Sequence, residues 1–273
     1  MFSDGVVAIN KPVGMSSHDV VNRVRRITGE RRVGHAGTLD PLASGVLIVL
    51  IGKKATTRQA EFMAGDKEYE AEITFGSTSA TDDAQGPFTQ VATLEALRDV
   101  KEEDVRAILP HFVGTITQIP PAFSAIKIAG KAAYKRAREG SLTQEMLAPR
   151  TVEVFAIDFV SWVPAIAPFP PTCRIRIHCN KGVYIRSLAR DIGNEIKIGA
   201  YMSALMRTRV GDFDIENAYS LESFEEEIKR ERGQAGISSS NPPRAFFQSH
   251  SLHAQPDSIS HDQKVIRHTD AEQ

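Results

Sequence analysis

The sequence predicts a mixed α/β (α+β) domain, on three observations. Residues 67–75 and 173–179 alternate apolar and polar side chains, as half-buried strands do. The run Val46 to Ile51 is continuously aliphatic, the composition of a buried strand. Residues 19–27 and 183–196 instead repeat apolar side chains at helical spacing. Strands and helices interleave along the chain, which points to a layered α/β or α+β fold.

In chain order, a short strand from Val6 to Ile9 runs into Lys11-Pro12. A helix follows from about Asp19 to Ile27. Ser16 or Ser17 is its cap, Val20, Val21, Val24 and Ile27 are its apolar stripe, and Gly29 is its stop. Residues 31–45 (RRVGHAGTLDPLASG) read as a loop rich in Gly and small polar residues, before the strand VLIVLI at 46–51. Tyr69, Ala71, Ile73 and Phe75 share one face of the next strand, and Glu68, Glu70, Glu72 and Thr74 the other. Helical patterning covers 94–109, and a short helix fits 132–139. Strands are expected near 152–160 and 173–179. Ile185, Leu188, Ala189 and Ile192 then form one face of a helix. EEEIKRER is a charge-dense helix end, residues 233–273 read as a disordered tail that contains Phe246-Phe247, and the domain division at 226–273 groups that helix end with the polar tail.

The 273 residues are 25% charged and 41% hydrophobic, an ordinary globular balance. The longest aliphatic run is too short for a bilayer, and the first residues lack a secretory pattern, so the expectation is a cytoplasmic protein with no membrane contact. Cys173 and Cys179 stand six residues apart on one strand, roughly 20 Å, beyond disulfide reach. They read as buried thiols. The net charge of −1 hides an uneven distribution. Residues 1–60 hold nine Lys/Arg against four Asp/Glu, and 171–211 hold eight against two. Residues 61–170 hold ten against sixteen. If the two basic segments meet, they form a surface suited to a phosphate backbone; the other reading is ordinary solvated charge.

Familiar catalytic signatures fail. Gly52-Lys53 lacks the upstream glycine of a phosphate loop, there is no H-E-x-x-H or paired C-x-x-C, and Ser44 is not in G-x-S-x-G. No metal or nucleotide cofactor is implied. What remains is GHAGTLDPLASGVL at 34–47. There Gly34, Gly37 and Gly45 permit unusual backbone angles and Asp40-Pro41 starts a turn.

This string closely resembles the catalytic loop of the TruB family of tRNA pseudouridine synthases, GHxGTLDPxAxGVL. KPVGMSSHDVVNRVR at 11–25 is similar to the family's opening motif and KEYEAEITFG at 67–76 to its tyrosine-bearing strand. QIPPAFSAIKIAGKAAYKRAREG at 118–140 and NKGVYIRSLARDIG at 180–193 also match. The resemblance runs from Gly5 to about Gly211.

The resemblance implies a pseudouridine-synthase catalytic fold over residues 1–225, with a central mixed, largely antiparallel sheet flanked by helices. It implies isomerisation of a uridine in the TΨC loop of tRNA, at tRNA position 55, with no cofactor. Asp40 is then the nucleophile, and Arg186 the arginine that keeps it ionised. Tyr69 stacks on the flipped uracil and assists proton transfer, with core packing as its other role. His35 fills the gap left by the flipped nucleotide. Lys11 buttresses the loop or meets phosphate, and Leu205 lines the uracil site or packs in the core. Residues 117–145 match the segment that closes over the RNA, where Lys127, Lys131, Lys135, Arg136 and Arg138 are candidate phosphate contacts. The implied partner is the tRNA T-arm, met by a monomer without a guide RNA. Met206 stands where the family usually has arginine, Ala80 where it has an aspartate, and Phe123 where tyrosine is common. No C-terminal PUA domain is recognisable. Two other readings are a synthase for another RNA and a non-catalytic tRNA-binding or folding factor.

Overall fold

In the computed structural model, residues 5–124, 126–143 and 146–234 are described. The chain opens with β1 (Gly5–Lys11) and turns into α1 (Ser17–Thr28). Ser16 is the cap: its side chain accepts the Asp19 N–H while the Asp19 carboxylate accepts the Ser16 N–H, a reciprocal capping box. Gly29 ends the helix in the left-handed region.

The segment expected to be one loop at 31–45 contains a strand, β2 (Val33–Ala36), paired antiparallel with β3 (Ser44–Ile51). Four residues around a glycine are too few to declare an alternation. Two short helices, α2 (Gly52–Thr57) and α3 (Gln59–Ala64), lead to β4 (Lys67–Phe75). A small hairpin follows, β5 (Ser77–Ser79) with β6 (Phe88–Gln90). The helix expected over 94–109 is broken into α4 (Leu94–Arg98) and α5 (Glu102–Ile108), then a 3-10 turn at Leu109–Phe112. The break occurs where the Asp104 carboxylate accepts the Lys101 N–H and starts a new helix.

Beyond β7 (Gly114–Gln118) lie a two-residue hairpin, β8 (Lys127–Ile128) and β9 (Lys131–Ala132), and α6 (Ala133–Arg138). The long β10 (Arg150–Val163) and β11 (Thr172–Cys179) precede α7 (Ile185–Glu195). The last elements are β12 (Ala200–Val210), β13 (Phe213–Asp214) and α8 (Leu221–Gln234).

Nine strands form one sheet in the order β1-β3-β12-β4-β11-β10-β7, with β2 on β3 and β13 on β12. The β3–β12 pairing is parallel, through Met206 opposite Ser44 and Arg207 opposite Gly45. The other strand pairings in this sheet are antiparallel, so the sheet is mixed and largely antiparallel as expected. The aliphatic run of β3 is explained by burial on both faces. Leu47, Val49 and Ile51 join a core with the apolar faces of α1, α7 and α8, while Val46, Ile48 and Leu50 join a second core with Ala55 and Phe62.

The charge-dense helix end EEEIKRER lies within α8. Residues 226–234 continue α8, and its buried face of Leu221, Phe224 and Ile228 packs into the main core. Residues 235–273, including Phe246-Phe247, lie outside the described residues.

The parallel contact requires glycine at 45. Its φ is +102°, and a Cβ there would stand 2.2 Å from the Arg207 carbonyl oxygen. Gly45→Ala therefore adds steric overlap to left-handed strain and is expected to cost about 3 kcal/mol or more. Gly114 has φ +92° with nothing within 4 Å of its Cβ position, so Gly114→Ala is expected to lose only about 1–2 kcal/mol. Urea unfolding midpoints compare the two; equal losses would show that space at Gly45 is not limiting.

Candidate active site

Asp40 sits in the turn between β2 and β3, and its neighbours are held on each side. The Ser17 hydroxyl, at the start of α1, donates to the Leu39 carbonyl (3.0 Å) and accepts the Leu39 N–H (2.9 Å). The Gly14 N–H donates to the Pro41 carbonyl at 2.8 Å. The Lys11 ammonium donates to the carbonyls of Pro12 (2.9 Å) and Met15 (2.7 Å), tightening the turn that carries Gly14. The opening segment thus brackets the loop that carries Asp40. Lys11 is 0% exposed, which supports its role as a buttress and removes it from a phosphate-facing surface. Burial pushes its ammonium down to about 8; Asp40 opposes that shift and Arg207 adds to it.

Arg186, in the first turn of α7, is 5% exposed. Its Nε lies 3.0 Å from Asp40 Oδ2. Its Nη1 donates to the Thr81 carbonyl and its Nη2 to the Phe123 carbonyl, both at 3.0 Å. Asp83 Oδ2 stands 3.8 Å from Nη1. Every nitrogen of the guanidinium has an oxygen partner, so its orientation toward Asp40 is fixed. Asp83 is itself held by the Thr81 hydroxyl (2.6 Å) and the Gln85 N–H (3.0 Å). Asp82 pairs with Arg190 at 2.8 Å. Ala80 therefore leaves this turn braced, and Phe123 serves through its carbonyl, which needs no hydroxyl.

The Asp40 side chain keeps 37% of its surface open. Partial burial raises its carboxyl above the ordinary range, Arg186 draws it down again, and Asp83 raises it further.

Tyr69 projects from β4 into the main core and lies opposite Arg207 of β12. Burial raises its phenol, while the Arg207 guanidinium beside the hydroxyl lowers it. Leu205, two residues before Arg207, is 9% exposed and packs in the same core. His35 lies on β2, half-buried, and its Nδ1 has no hydrogen-bond partner among the described residues. Burial lowers its pKa, as do the Arg207 and His18 charges, favouring the neutral ring.

Arg207 escaped the residue-by-residue reading. It is 1% exposed, with Nε donating to the Val46 carbonyl (2.8 Å) and Nη2 to the Gly37 carbonyl (2.9 Å). An arginine between polar residues reads as surface, and only the period of two from Leu205 marks it as inward. Met206 is exposed on the opposite face of β12, so that departure from the family pattern lies on the other side of the strand from Leu205 and Arg207.

The basic candidates at 127–138 stand apart from this constellation on the β8–β9 hairpin and α6. They are tied to it by backbone: the Tyr134 N–H donates to the Ser124 carbonyl, next to the Phe123 carbonyl that holds Arg186. Lys127 is exposed, Lys131 pairs with Glu139, and Arg136 Nε donates to the Ile128 carbonyl at 3.3 Å. The basic excess of 171–211 is largely neutralised, because Arg174, Arg176, Arg186, Arg190 and Arg209 form ion pairs with Glu72, Glu70, Asp40, Asp82 and Asp66. Among the described residues no cluster of His, Cys, Asp or Glu is arranged to hold a metal, and no helix is long and apolar enough to cross a membrane.

Residues 25–185 match the family model described as TruB family pseudouridylate synthase (N terminal domain). The chain belongs to the TruB family.

Residues 186–238 match a second family model, the tRNA pseudouridylate synthase B C-terminal domain. A curated TruB relative, tRNA pseudouridine synthase B of Pelotomaculum thermopropionicum, is 44% identical over 81% of this chain and 68% of its own length. The corresponding protein of a Nostoc species is 38% identical over 89% of this chain and 78% of its own. Among solved structures, a chain of a Cbf5-Nop10-Gar1 complex superposes with a TM-score of 0.64 at 29% identity. That match covers 86% of this chain and 57% of the other. The TruB chain here thus spans little more than half of that structural neighbour.

An acid whose pKa is raised on folding withdraws stability where it is ionised, and the loss is relieved as pH falls through the folded-state pKa. Asp40→Asn is therefore expected to keep or raise the melting temperature at pH 7, with any gain shrinking under acid conditions. Thermal unfolding across pH checks this; a fall of several degrees would make Asp40 a structural member of its turn.

Proposed function

We propose that this chain converts a uridine of the tRNA T-arm, at tRNA position 55 in the TΨC loop, into pseudouridine, with Asp40 as nucleophile. It works as a monomer in the cytoplasm, without cofactor or guide RNA. The observation that carries the reading is the Asp40–Arg186 ion pair, set beside Tyr69 and Leu205 within the loop GHAGTLDPLASGVL. A non-catalytic RNA binder has no use for a partly open carboxylate oriented by a fully engaged guanidinium.

The reaction breaks the bond between N1 of uracil and C1′ of the ribose. The base turns within the pocket and C5 bonds to C1′. C5 gives up its proton and N1 ends protonated, so nothing is oxidised or reduced. The target nucleotide must first leave the stack, at a cost of a few kcal/mol that contacts outside the pocket offset. The neutral ring of His35 suits the vacated space, and Tyr69 offers its aromatic face to the flipped base. Lys127, Lys131 and Arg136 supply positive charge on the β8–β9 hairpin and α6, where phosphates would be met; Lys131 exchanges Glu139 for phosphate.

The Asp40 carboxylate must be ionised, so activity is lost as pH falls through its raised pKa. The acid limb of the single-turnover rate is expected above the ~3.9 of an unperturbed aspartate. A rate that stays flat down to that value would remove Asp40 ionisation from the mechanism. The reading as a whole is tested by pseudouridine mapping on unmodified tRNA incubated with purified protein, beside Asp40→Ala. Product at the TΨC-loop position, absent with the variant, is the expected outcome. No product from the intact protein while tRNA binding persists would favour another RNA target or the binding-factor reading.

A further inference from the structure

Two of the loop's glycines face one residue. Gly37 has φ +80°, and a Cβ there would lie 3.3 Å from Arg207 Nη1. Gly45 has φ +102°, and a Cβ there would lie 2.2 Å from the Arg207 carbonyl oxygen. The side chain of Arg207 therefore occupies the space in front of Gly37, and its backbone the space in front of Gly45. These positions flank Asp40 at three residues before and five after. The carbonyls of Gly37 and Val46, which receive the guanidinium, likewise lie on the two sides of Asp40. On its own strand pairing, Arg207 is opposite Tyr69.

A buried guanidinium is costly, and an apolar side chain of similar volume would often serve stability as well. A lysine can meet two neighbouring carbonyls from one nitrogen, as Lys11 does, but it lacks the planar fork whose separate nitrogens reach Gly37 and Val46. The residue type, its burial and the two glycines facing it are therefore matched to one geometry: a fork that spans the loop carrying Asp40, on a strand residue paired with Tyr69.

We propose that Arg207 is a positioning residue of the reaction. It holds the backbone on both sides of Asp40 and sets the Tyr69 hydroxyl, so that carboxylate and phenol keep a fixed separation across the pocket. This rests on the synthase reading above. Its effect belongs to the chemical step rather than to RNA affinity, because a 1% exposed side chain with its donors on backbone carbonyls does not meet phosphate.

The test uses Arg207→Lys and Arg207→Met in the full chain, with folding checked by thermal unfolding. Loss of alignment in a site of this kind costs on the order of 100-fold. Arg207→Met is expected to slow single-turnover pseudouridine formation by about that factor, and Arg207→Lys by about 10-fold, with Kd for unmodified tRNA within about twofold of the parent. In protein labelled with 13C at tyrosine Cζ, the Tyr69 resonance, assigned by its absence in Tyr69→Phe, is expected to move in both variants. A folded variant with a rate within threefold of the parent overturns the proposal. So does an affinity loss proportional to the rate loss, or an unmoved Tyr69 resonance. If Arg207→Met does not fold, Arg207→Lys decides by the same measurements. If the parent protein makes no pseudouridine, the synthase reading fails by itself, and the Tyr69 resonance still decides whether Arg207 sets the phenol.

Discussion

Three cations are buried against the loop that carries Asp40 and its flanking turns, and each is held mainly by backbone carbonyl oxygens. Lys11 donates to Pro12 and Met15, Arg186 to Thr81 and Phe123, and Arg207 to Gly37 and Val46. A desolvated cation must find oxygen, and carbonyls in this molecule are available only where the chain is not already paired. The cations therefore gather at loops, and by doing so they give those loops a single shape. Arg186 and Lys11 favour the Asp40 anion, while burial and Asp83 oppose it and leave the carboxyl raised.

The sheet makes the arrangement possible by bringing distant segments into one layer. β3 delivers the end of the catalytic loop, β12 delivers Leu205 and Arg207, and β4 delivers Tyr69, with β12 lying between the other two. The parallel contact between β3 and β12 is short, and it falls where the loop ends. α7 packs against β12 and carries Arg186 in its first turn, which completes the site from above the sheet. The alternation of β4 serves two purposes: one face supplies Tyr69 and core, the other supplies Glu68, Glu70 and Glu72.

Much of this was legible before any coordinates. The strands at 46–51, 67–75 and 173–179 and the helices near 19–27 and 183–196 follow from hydrophobic period, because burial imposes that period directly. The catalytic loop, with Asp40 and its partner Arg186, was legible through resemblance; nothing local links two residues 146 positions apart. β2 was hidden because a four-residue strand takes its order from its partner. The charged end of α8 was legible as EEEIKRER, while its buried face of Leu221, Phe224 and Ile228, spaced by three and four residues, was not singled out amid the dense charge. The burial of Lys11 and Arg207 was least legible, since long basic side chains are rarely fully buried and composition counts them as surface. For the same reason the basic excess of 171–211 suggested an RNA-facing patch, whereas five of its arginines meet acids.

The outer face of β4 has a further consequence. Glu72 stands across from Arg174, Glu70 from Arg176, and Glu68 from Arg209, in direct cross-strand register. Each exposed pair adds little to stability, typically ~0–1 kcal/mol. Its effect on the surroundings is larger than its effect on the fold. Paired in this way, the row is a set of short dipoles whose far field dies away faster than that of free charges. Arg209 is shared between Glu68 and Asp66, so beyond a Debye length, roughly 8 Å in physiological salt, a polyanion passing that face meets only a weak residual field. The acids of the strand that bears Tyr69 are thus electrically muted, and the weak overall charge of the molecule does not decide which side an RNA approaches.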